Sequence, residues 1–259
     1  MTRKKTRRKL FLLAIGVILG IGISSSLHLL STQIVSWWNC PKSSFWVCQT
    51  TNAETTESIA SGYNGAVVST QKEASEIGLQ VLSEGGNAID AAVAMGYALA
   101  VSDPCCGNLG GGGFMLIHLA DGESTFINFR ETAPLAATAD MYLDEQDEII
   151  KGLSTEGYLS VGVPGTVKGL NYALGKYGTW SLEKIITPAI ALAEQGFVLQ
   201  QGDVDIFQAG KKKLLEPNVA EIFLAEGKNV YQPGDILVQS DLANSLKLIA
   251  EEGSKAFYQ

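Results

Sequence analysis

The most marked feature of the hydropathy pattern is an uncharged apolar stretch near the start of the chain. Residues 10–30 hold 21 consecutive positions without a charge, opening with Leu10-Phe11-Leu12-Leu13. About 20 apolar residues in a helix span the roughly 30 Å hydrocarbon core of a bilayer. Residues 1–9 carry six basic side chains, which are expected to stay on the cytoplasmic side. We predict a basic cytoplasmic tail over 1–9 and a transmembrane segment over 10–30.

Two alternatives remain open for residues 10–30, a retained signal anchor and a cleaved signal peptide. Ser24 and Ser26 offer a small-residue cleavage site, and the anchor is slightly favoured. Both alternatives export the rest of the chain. The expected location is therefore the cell membrane with the globular part on its outer side, or the periplasm after cleavage.

Residues 31–62 predict a polar linker. Ser, Thr, Asn and Glu dominate there and no apolar period is sustained. Cys40 and Cys48 lie in this linker, and Cys105 and Cys106 lie further on. Four cysteines outside the cytoplasm allow three disulfide connectivities, among which the sequence does not choose.

The folded body is predicted over 63–259, beginning with a strand and two helices. The apolar run 65–69 is typical of a strand. Thr70 and Glu73 have the spacing of a capping box for a first helix, which the glycines after Glu84 end. Asn87 is placed to cap a second, tightly buried helix that ends before Pro104.

The pattern beyond the second helix predicts a strand hairpin followed by further helices. Residues 114–119 and 125–130 read as strands, and Asp121-Gly122 between them is a hairpin signal. Helical spacing of apolar residues returns over 167–176, 182–194 and 242–251. Helices and a hairpin in this order indicate a mixed α/β layer structure.

Composition and charge limit the classes of function. With 46% hydrophobic and 18% charged residues the chain is not a disordered protein. The net charge is −8, but residues 10–259 hold 13 basic against 27 acidic side chains, a balance of −14. Phosphate neutralisation needs a basic surface, so we expect no nucleic-acid partner.

Residue patterns alone predict no assembled catalytic, metal or cofactor site. The run Gly107–Gly113 lies between a helix and a strand, the wrong order for a nucleotide-binding loop. Cys105 and Cys106 are adjacent and lack the spacing of a metal site. His118 lies in an apolar strand, where a packed or edge role is expected. The chain contains no Gly-x-Ser-x-Gly element.

Arg130 is the most informative candidate binding residue. It stands at the end of the second hairpin strand, in Phe129-Arg130-Glu131. A guanidinium offers a rigid fork for bidentate recognition of a carboxylate. Taken alone, an arginine at a strand end is more often part of a surface ion pair, here with Glu131.

Ordered sequence blocks across the body resemble the front of the large subunit of the γ-glutamyltransferases (γ-glutamyltranspeptidases, glutathione hydrolases). The resemblance runs from about Gly65 to the last residue, and several long blocks in one order make it specific. The blocks are 84–94 (EGGNAIDAAVA), 107–114 (GNLGGGGF), 129–134 (FRETAP), 163–169 (VPGTVKG), 176–180 (KYGTW), 188–197 (PAIALAEQGF), 234–239 (GDILVQ) and 246–250 (LKLIA).

The resemblance implies an N-terminal-nucleophile hydrolase with an αββα sandwich. Such a protein is made as a precursor that cuts itself into a large and a small subunit. The threonine that starts the small subunit attacks the γ-glutamyl group of glutathione, and its own α-amine serves as base. Water, an amino acid or a peptide then accepts that group. Arg130 matches the arginine that holds the α-carboxylate of the γ-glutamyl group in the family.

The chain departs from the family pattern at the nucleophile. The family's Thr-Thr-His block lies beyond the part that this sequence matches, and neither Thr50-Thr51 nor Thr55-Thr56 is followed by His. We therefore expect no catalytic residue in the chain, no activity of the chain alone, and exposed apolar faces and strand edges. Alternatives are a non-catalytic, membrane-tethered remnant and a related acylase that acts on another γ-linked substrate.

Overall fold

The computed structural model describes residues Gly62–Gln259, which form eight α-helices and two two-stranded antiparallel sheets. The predicted tail over 1–9, the segment over 10–30 and the linker up to Ser61 lie outside the described residues. Among the helices of 62–259, none combines the length and the apolar character needed to cross a membrane. The predicted body over 63–259 lies within the described residues.

Two helices open the body, α1 at Lys72–Ser83 and α2 at Ala88–Ser102. The predicted cap at Asn87 is confirmed, since its side chain accepts the amides of Ile89 and Asp90 while Asp90 accepts the amide of Asn87. Gly85 adopts φ +89° after α1, a backbone conformation that glycine reaches without steric strain. The turn between α1 and α2 therefore forms where the sequence predicts it.

Two predictions at the start of the body are wrong. Thr70 does not cap α1, because the helix begins after Gln71, one residue later than predicted. The Thr70 hydroxyl donates to the Asp103 carboxylate, 3.2 Å away. Residues 65–69 have no regular secondary structure and pair with no strand of the described part, so they form no sheet. An apolar run predicts a strand only if a partner edge is within reach.

The predicted hairpin is confirmed, with β1 at Phe114–His118 and β2 at Ser124–Asn128 in register from Phe114 opposite Asn128. Its strands are shorter than predicted, so Arg130 stands two residues beyond β2. Within the described residues the hairpin pairs with no further strand. Phe114 and Phe126 stack on one face, with ring centroids 5.7 Å apart and more than half of each side chain exposed. The expected exposed apolar face and open strand edges are present.

The second half of the body is helical, and its three predicted helices are confirmed. They are α3 at Thr166–Tyr177, α4 at Leu182–Gln195 and α7 at Ser240–Glu252. Elements that the sequence reading did not identify are a 3₁₀ turn at Tyr158–Ser160, β3 at Phe197–Val198 paired with β4 at Ile236–Leu237, and the helices α5 at Gln201–Leu214, α6 at Pro217–Phe223 and α8 at Lys255–Tyr258.

Helix α2 lies at the centre of the core. It packs against α1, α3 and α4, and α4 in turn packs against α7. Its buried side chains lie on several faces, including Val93, Tyr97 and Val101, which are inaccessible to solvent. A helix that is apolar all round is stable when neighbours cover every side. The architecture is a mixed α/β fold in which helices surround α2 and the hairpin lies at the edge.

Candidate functional site

A cleft of about 720 Å³ lies between the end of the hairpin, the start of α3 and the last helix. Arg130 lies in its wall, together with Val163, Pro164, Gly165 and Tyr258. Clefts of this size with a few polar groups are typical of small-molecule sites. The cleft therefore contains the one binding residue that the sequence predicts.

The Arg130 guanidinium is exposed and held from one side. Its Nε donates to Glu131 Oε2 at 3.2 Å, and 67% of its side-chain surface is accessible. The Arg130 amide donates to Asn128 Oδ1 at 3.0 Å, which fixes the backbone after β2. The ion pair expected for an isolated strand-end arginine is present. It uses Nε and leaves the terminal nitrogens of the fork without a hydrogen-bond partner among residues 62–259.

Arg130 is also the only arginine of the chain outside residues 1–9. Lys168 and Lys255 line the same cleft, and both are exposed. A guanidinium presents a planar pair of donors, whereas an ammonium acts as a compact point charge. Bidentate recognition of a carboxylate at this cleft can therefore come from Arg130 alone among the described side chains.

Glycines bring three distant segments into backbone contact beneath Arg130. Gly113 and Phe129 exchange both backbone hydrogen bonds, at 3.0 and 3.3 Å. The Gly111 carbonyl accepts the Gly165 amide at 2.8 Å. A Cβ on Gly112 would lie 2.6 Å from the Phe129 carbonyl oxygen, closer than real Cβ atoms approach. The glycine run thus permits close backbone packing. This role is compatible with its position between a helix and a strand, which is the wrong order for a nucleotide-binding loop.

Gly165, which caps α3, and Gly169 within α3 also take part in this contact. A Cβ on Gly165 would overlap the Phe129 carbonyl, and one on Gly169 would overlap the Phe129 ring. Thr132 and Val163 form an antiparallel bridge next to them, with amide-to-carbonyl distances of 3.1 and 2.8 Å. The position of Arg130 is therefore set by the backbone on both sides of it.

Asp90 joins two of the sequence blocks and was missed as a key residue. It is fully buried at the start of α2, and its carboxylate accepts the Thr179 hydroxyl at 2.6 Å and the Thr179 and Trp180 amides. Burial alone would raise the pKa of Asp90, but hydrogen bonds from Thr179, Asn87 and Trp180 outweigh it and lower that pKa. The spacing Asn87-x-x-Asp90 was the available signal, since it is the spacing of a capping box.

A partly buried chain of hydrogen bonds runs from the core to the cleft wall. The hydroxyl of Tyr97 donates to Asn171 Oδ1 at 2.6 Å, and Asn171 Nδ2 donates to Ser254 Oγ at 3.0 Å. Burial, with a smaller contribution from Tyr258, raises the pKa of Tyr97 above its ordinary value. Tyr97 therefore stays neutral and acts as a structural donor that ties α2 to α3 and to the start of α8.

The remaining candidates stand apart from the cleft. His118 is an exposed edge residue whose Nδ1 lies 2.9 Å from Ser124 Oγ, in keeping with its predicted edge role. Cys105 and Cys106 are joined by a disulfide. Asp103 lies beside them, and the three side chains offer potential ligand atoms within 4.8 Å of one another. Disulfide sulfurs are not thiolates, so this group is not a metal site in its oxidised form.

Comparison with known proteins identifies close similarities. A sequence model of the gamma-glutamyltranspeptidase family matches residues 74–259. A glutathione hydrolase proenzyme of Pseudomonas sp. strain A14 is 57% identical over 198 residues, and that of Escherichia coli K12 is 47% identical over 197. These alignments cover 76% and 75% of this chain but 34% of each relative. The chain thus spans about a third of the length of these relatives.

A solved structure has the same fold over the described body. The gamma-glutamyltranspeptidase of Helicobacter pylori superposes with a TM-score of 0.75 at 48% sequence identity. The superposition covers 78% of this chain and 58% of that one.

Proposed function

Because the chain belongs to the gamma-glutamyltranspeptidase family, a family of enzymes, we propose that it forms the front of the large subunit of a glutathione-degrading enzyme. The intact protein transfers the γ-glutamyl group of glutathione and related compounds to water, an amino acid or a peptide. The names of the relatives, glutathione hydrolase proenzymes, support both the substrate class and the origin of two subunits from one precursor.

Arg130 carries this proposal. It lies in the block that matches the family, in the wall of the 720 Å³ cleft, with the terminal nitrogens of its fork directed to no partner among the described residues. Glu131 restrains the guanidinium through Nε, which reduces the freedom lost when a ligand binds. We assign to Arg130 the binding of the α-carboxylate of the γ-glutamyl group.

The nucleophile is proposed to come from outside the 259 residues. The relatives are about three times longer than the matched part, which leaves room in a precursor for the threonine that becomes the small-subunit N-terminus. That threonine forms an ester with the γ-glutamyl carbonyl as the amide bond breaks, and the released amine takes a proton. Water or an amine then displaces the threonine hydroxyl and regenerates it.

The complete fold is proposed to be the αββα sandwich of N-terminal-nucleophile hydrolases. The exposed stacked pair Phe114 and Phe126 and the open edges of the hairpin support further strands beside β1 and β2. An apolar sheet face of this kind is ordinarily covered. We also propose that the body is exported and tethered at, or released from, the membrane, on the strength of residues 1–30.

The first test of the proposal is the sequence of the coding DNA. Sequencing beyond the Gln259 codon is expected to find an open frame that reaches a Thr-Thr-His block. The precursor from that frame should cut itself in two and release p-nitroaniline from γ-glutamyl-p-nitroanilide. The 259-residue chain alone should show no such release. A verified stop with no partner gene nearby would instead support the non-catalytic remnant.

The substrate class is tested by a matched pair of compounds. Butyryl-p-nitroanilide has the same amide but lacks both the α-carboxylate and the α-amine. A γ-glutamyltransferase is expected to turn it over far more slowly than γ-glutamyl-p-nitroanilide. Equal rates would favour the related acylase, since such an enzyme does not depend on an α-carboxylate.

A further inference from the structure

The disulfide between Cys105 and Cys106 contributes little to stability by the usual route. A disulfide stabilises chiefly by closing a loop in the unfolded chain, and the effect grows with the number of residues enclosed. Cys105 and Cys106 are neighbours, so the loop is the shortest that a chain can close. Both side chains are exposed. A solvent-accessible bond with so small a structural role requires another explanation.

The surroundings of the two sulfurs are not equivalent. Asp103 Oδ1 lies 3.3 Å from Cys105 Sγ, and its second oxygen accepts the Thr70 hydroxyl at 3.2 Å. The Asp103 carbonyl accepts the amides of Cys106 and Gly107, which keeps the carboxylate and the disulfide together. The negative charge repels an incoming thiolate from Cys105. A reduced Cys105 can donate its S–H to that same carboxylate.

We propose that the Cys105–Cys106 disulfide is a thiol–disulfide exchange site for low-molecular-weight thiols of the glutathione type. The thiolate of one glutathione bonds to Cys106 Sγ as the bond between the two cysteine sulfurs breaks. The electron pair passes to Cys105 Sγ, which takes a proton and becomes a thiol. The S–H of this thiol donates a hydrogen bond to the Asp103 carboxylate. A second glutathione thiolate then attacks the glutathione sulfur and leaves Cys106 as a thiol. Cys105 and Cys106 are reduced, and two glutathiones are oxidised to one glutathione disulfide.

The site is connected to the cleft through the glycine run. Gly107 directly follows Cys106. Further along the run, Gly111 hydrogen-bonds to the start of α3, which lines the cleft, and Gly113 hydrogen-bonds to Phe129, which directly precedes Arg130. Reduction removes a covalent restraint at the start of this run. We therefore expect faster amide hydrogen exchange over residues 107–111 in the reduced protein, with unchanged exchange in α4.

The test uses the full chain and one convenient tryptic peptide. No lysine or arginine lies between Glu73 and Arg130, so trypsin releases Cys105 and Cys106 together without Cys40 or Cys48. The protein is incubated with millimolar glutathione, with S-methylglutathione or with buffer, then alkylated and analysed by mass spectrometry. S-methylglutathione keeps the γ-glutamyl group but has no thiol.

We expect alkylation of both cysteines, with a glutathione adduct on Cys106 as the intermediate, after glutathione treatment only. Asp103→Asn is expected to speed exchange about fivefold, the effect of one nearby unit charge in water. Glu123→Gln, an exposed charge in the hairpin turn, is the control and should leave the rate unchanged.

Two results would overturn the proposal. Alkylation of both cysteines in buffer alone would show that the disulfide does not form. If phosphine reductants reduce the disulfide but glutathione does not, the disulfide does not exchange with glutathione. An Asp103→Asn rate equal to that of the parent would overturn the role given to Asp103. None of these readouts needs γ-glutamyl hydrolysis, so failure of the proposed function is recognised separately.

Discussion

The carboxylate of Asp90 accepts both the hydroxyl of Thr179, at 2.6 Å, and its backbone amide, at 2.8 Å. The two residues lie 89 positions apart, and their contact joins the start of α2 to the turn between α3 and α4. A buried carboxylate is stable when hydrogen bonds replace its lost water, and here donors from Asn87 and Trp180 complete the set. Asp90 therefore has a structural role, although it lies in a block shared with an enzyme family.

Replacement of Asp90 by asparagine should destabilise the body strongly. The amide keeps the size but turns one acceptor into a donor that faces other donors. We expect a loss of about 1.5–3 kcal/mol in the free energy of unfolding, the range for hydrogen bonds to a charged group. Urea denaturation of the 259-residue chain measures it. Asp121→Asn is the control, because that exposed aspartate contacts the Glu123 amide through an oxygen that asparagine keeps. Equal midpoints for the two variants would contradict the prediction.

The same carboxylate predicts a dependence of stability on pH. The pKa of Asp90 is lower in the folded protein than the ordinary value of about 3.9 in the unfolded chain. Between these two pKa values the unfolded state therefore binds more protons than the folded state. The stability that the Asp90 carboxylate contributes is full above pH 4 and is lost as pH falls through the folded pKa. Unfolding free energies from pH 7 to pH 3 should fall more steeply for the parent than for Asp90→Asn. Parallel curves would exclude this contribution.

Two glycines of α3 should respond in opposite directions to alanine. A Cβ on Gly169 meets the Phe129 ring, whereas one on Gly175 meets nothing within 4 Å. Gly175→Ala should stabilise by about 0.5–1 kcal/mol through helix propensity. Gly169→Ala should lose about 1–3 kcal/mol to overpacking against Phe129. Thermal and urea unfolding of the pair give the comparison, and a gain in stability for Gly169→Ala would show that Phe129 moves away without cost.

Replacement of Arg130 should change substrate turnover and leave the free energy of unfolding nearly unchanged. Its side chain is two-thirds exposed, so Arg130→Lys and Arg130→Gln should unfold within about 0.5 kcal/mol of the parent. In the processed enzyme of the proposed function, Arg130→Gln should lower kcat/KM for γ-glutamyl-p-nitroanilide by about 30-fold to several thousandfold, the equivalent of about 2–5 kcal/mol. Arg130→Lys should show most of the same fall in kcat/KM, because the lysine side chain lacks the planar fork.

The control for Arg130 is Lys211→Gln, which removes an exposed positive charge from α5. It should leave kcat/KM unchanged at moderate salt, where distant surface charges are screened. Butyryl-p-nitroanilide serves as a second control, since it has no α-carboxylate for Arg130 to bind. An equal fall for both substrates in Arg130→Gln would assign to Arg130 a role other than carboxylate binding.

Local signals in the sequence were sufficient for most helices and for the hairpin. Asn87 capped the helix that it was predicted to cap, and Asp121-Gly122 lies in the turn between β1 and β2. Both signals act over a few residues, where backbone geometry and hydrogen-bond chemistry decide. Thr70 is not the cap because the helix begins one residue later than predicted, after Gln71, while the Thr70 hydroxyl donates to Asp103, 33 residues away. A contact with a distant group is invisible to a local pattern.

The sequence by itself therefore determined the helices α1 to α4 and α7, the hairpin and the family, and it left Arg130 as the one arginine outside residues 1–9. Only the tertiary structure decided that Gly111, Gly113 and Gly165 meet around Arg130, that Asp90 binds Thr179, and that Arg130 opens into a cleft. The reason is physical. Capping and periodicity depend on neighbours in the chain, whereas close backbone contact and burial depend on which distant segments pack together.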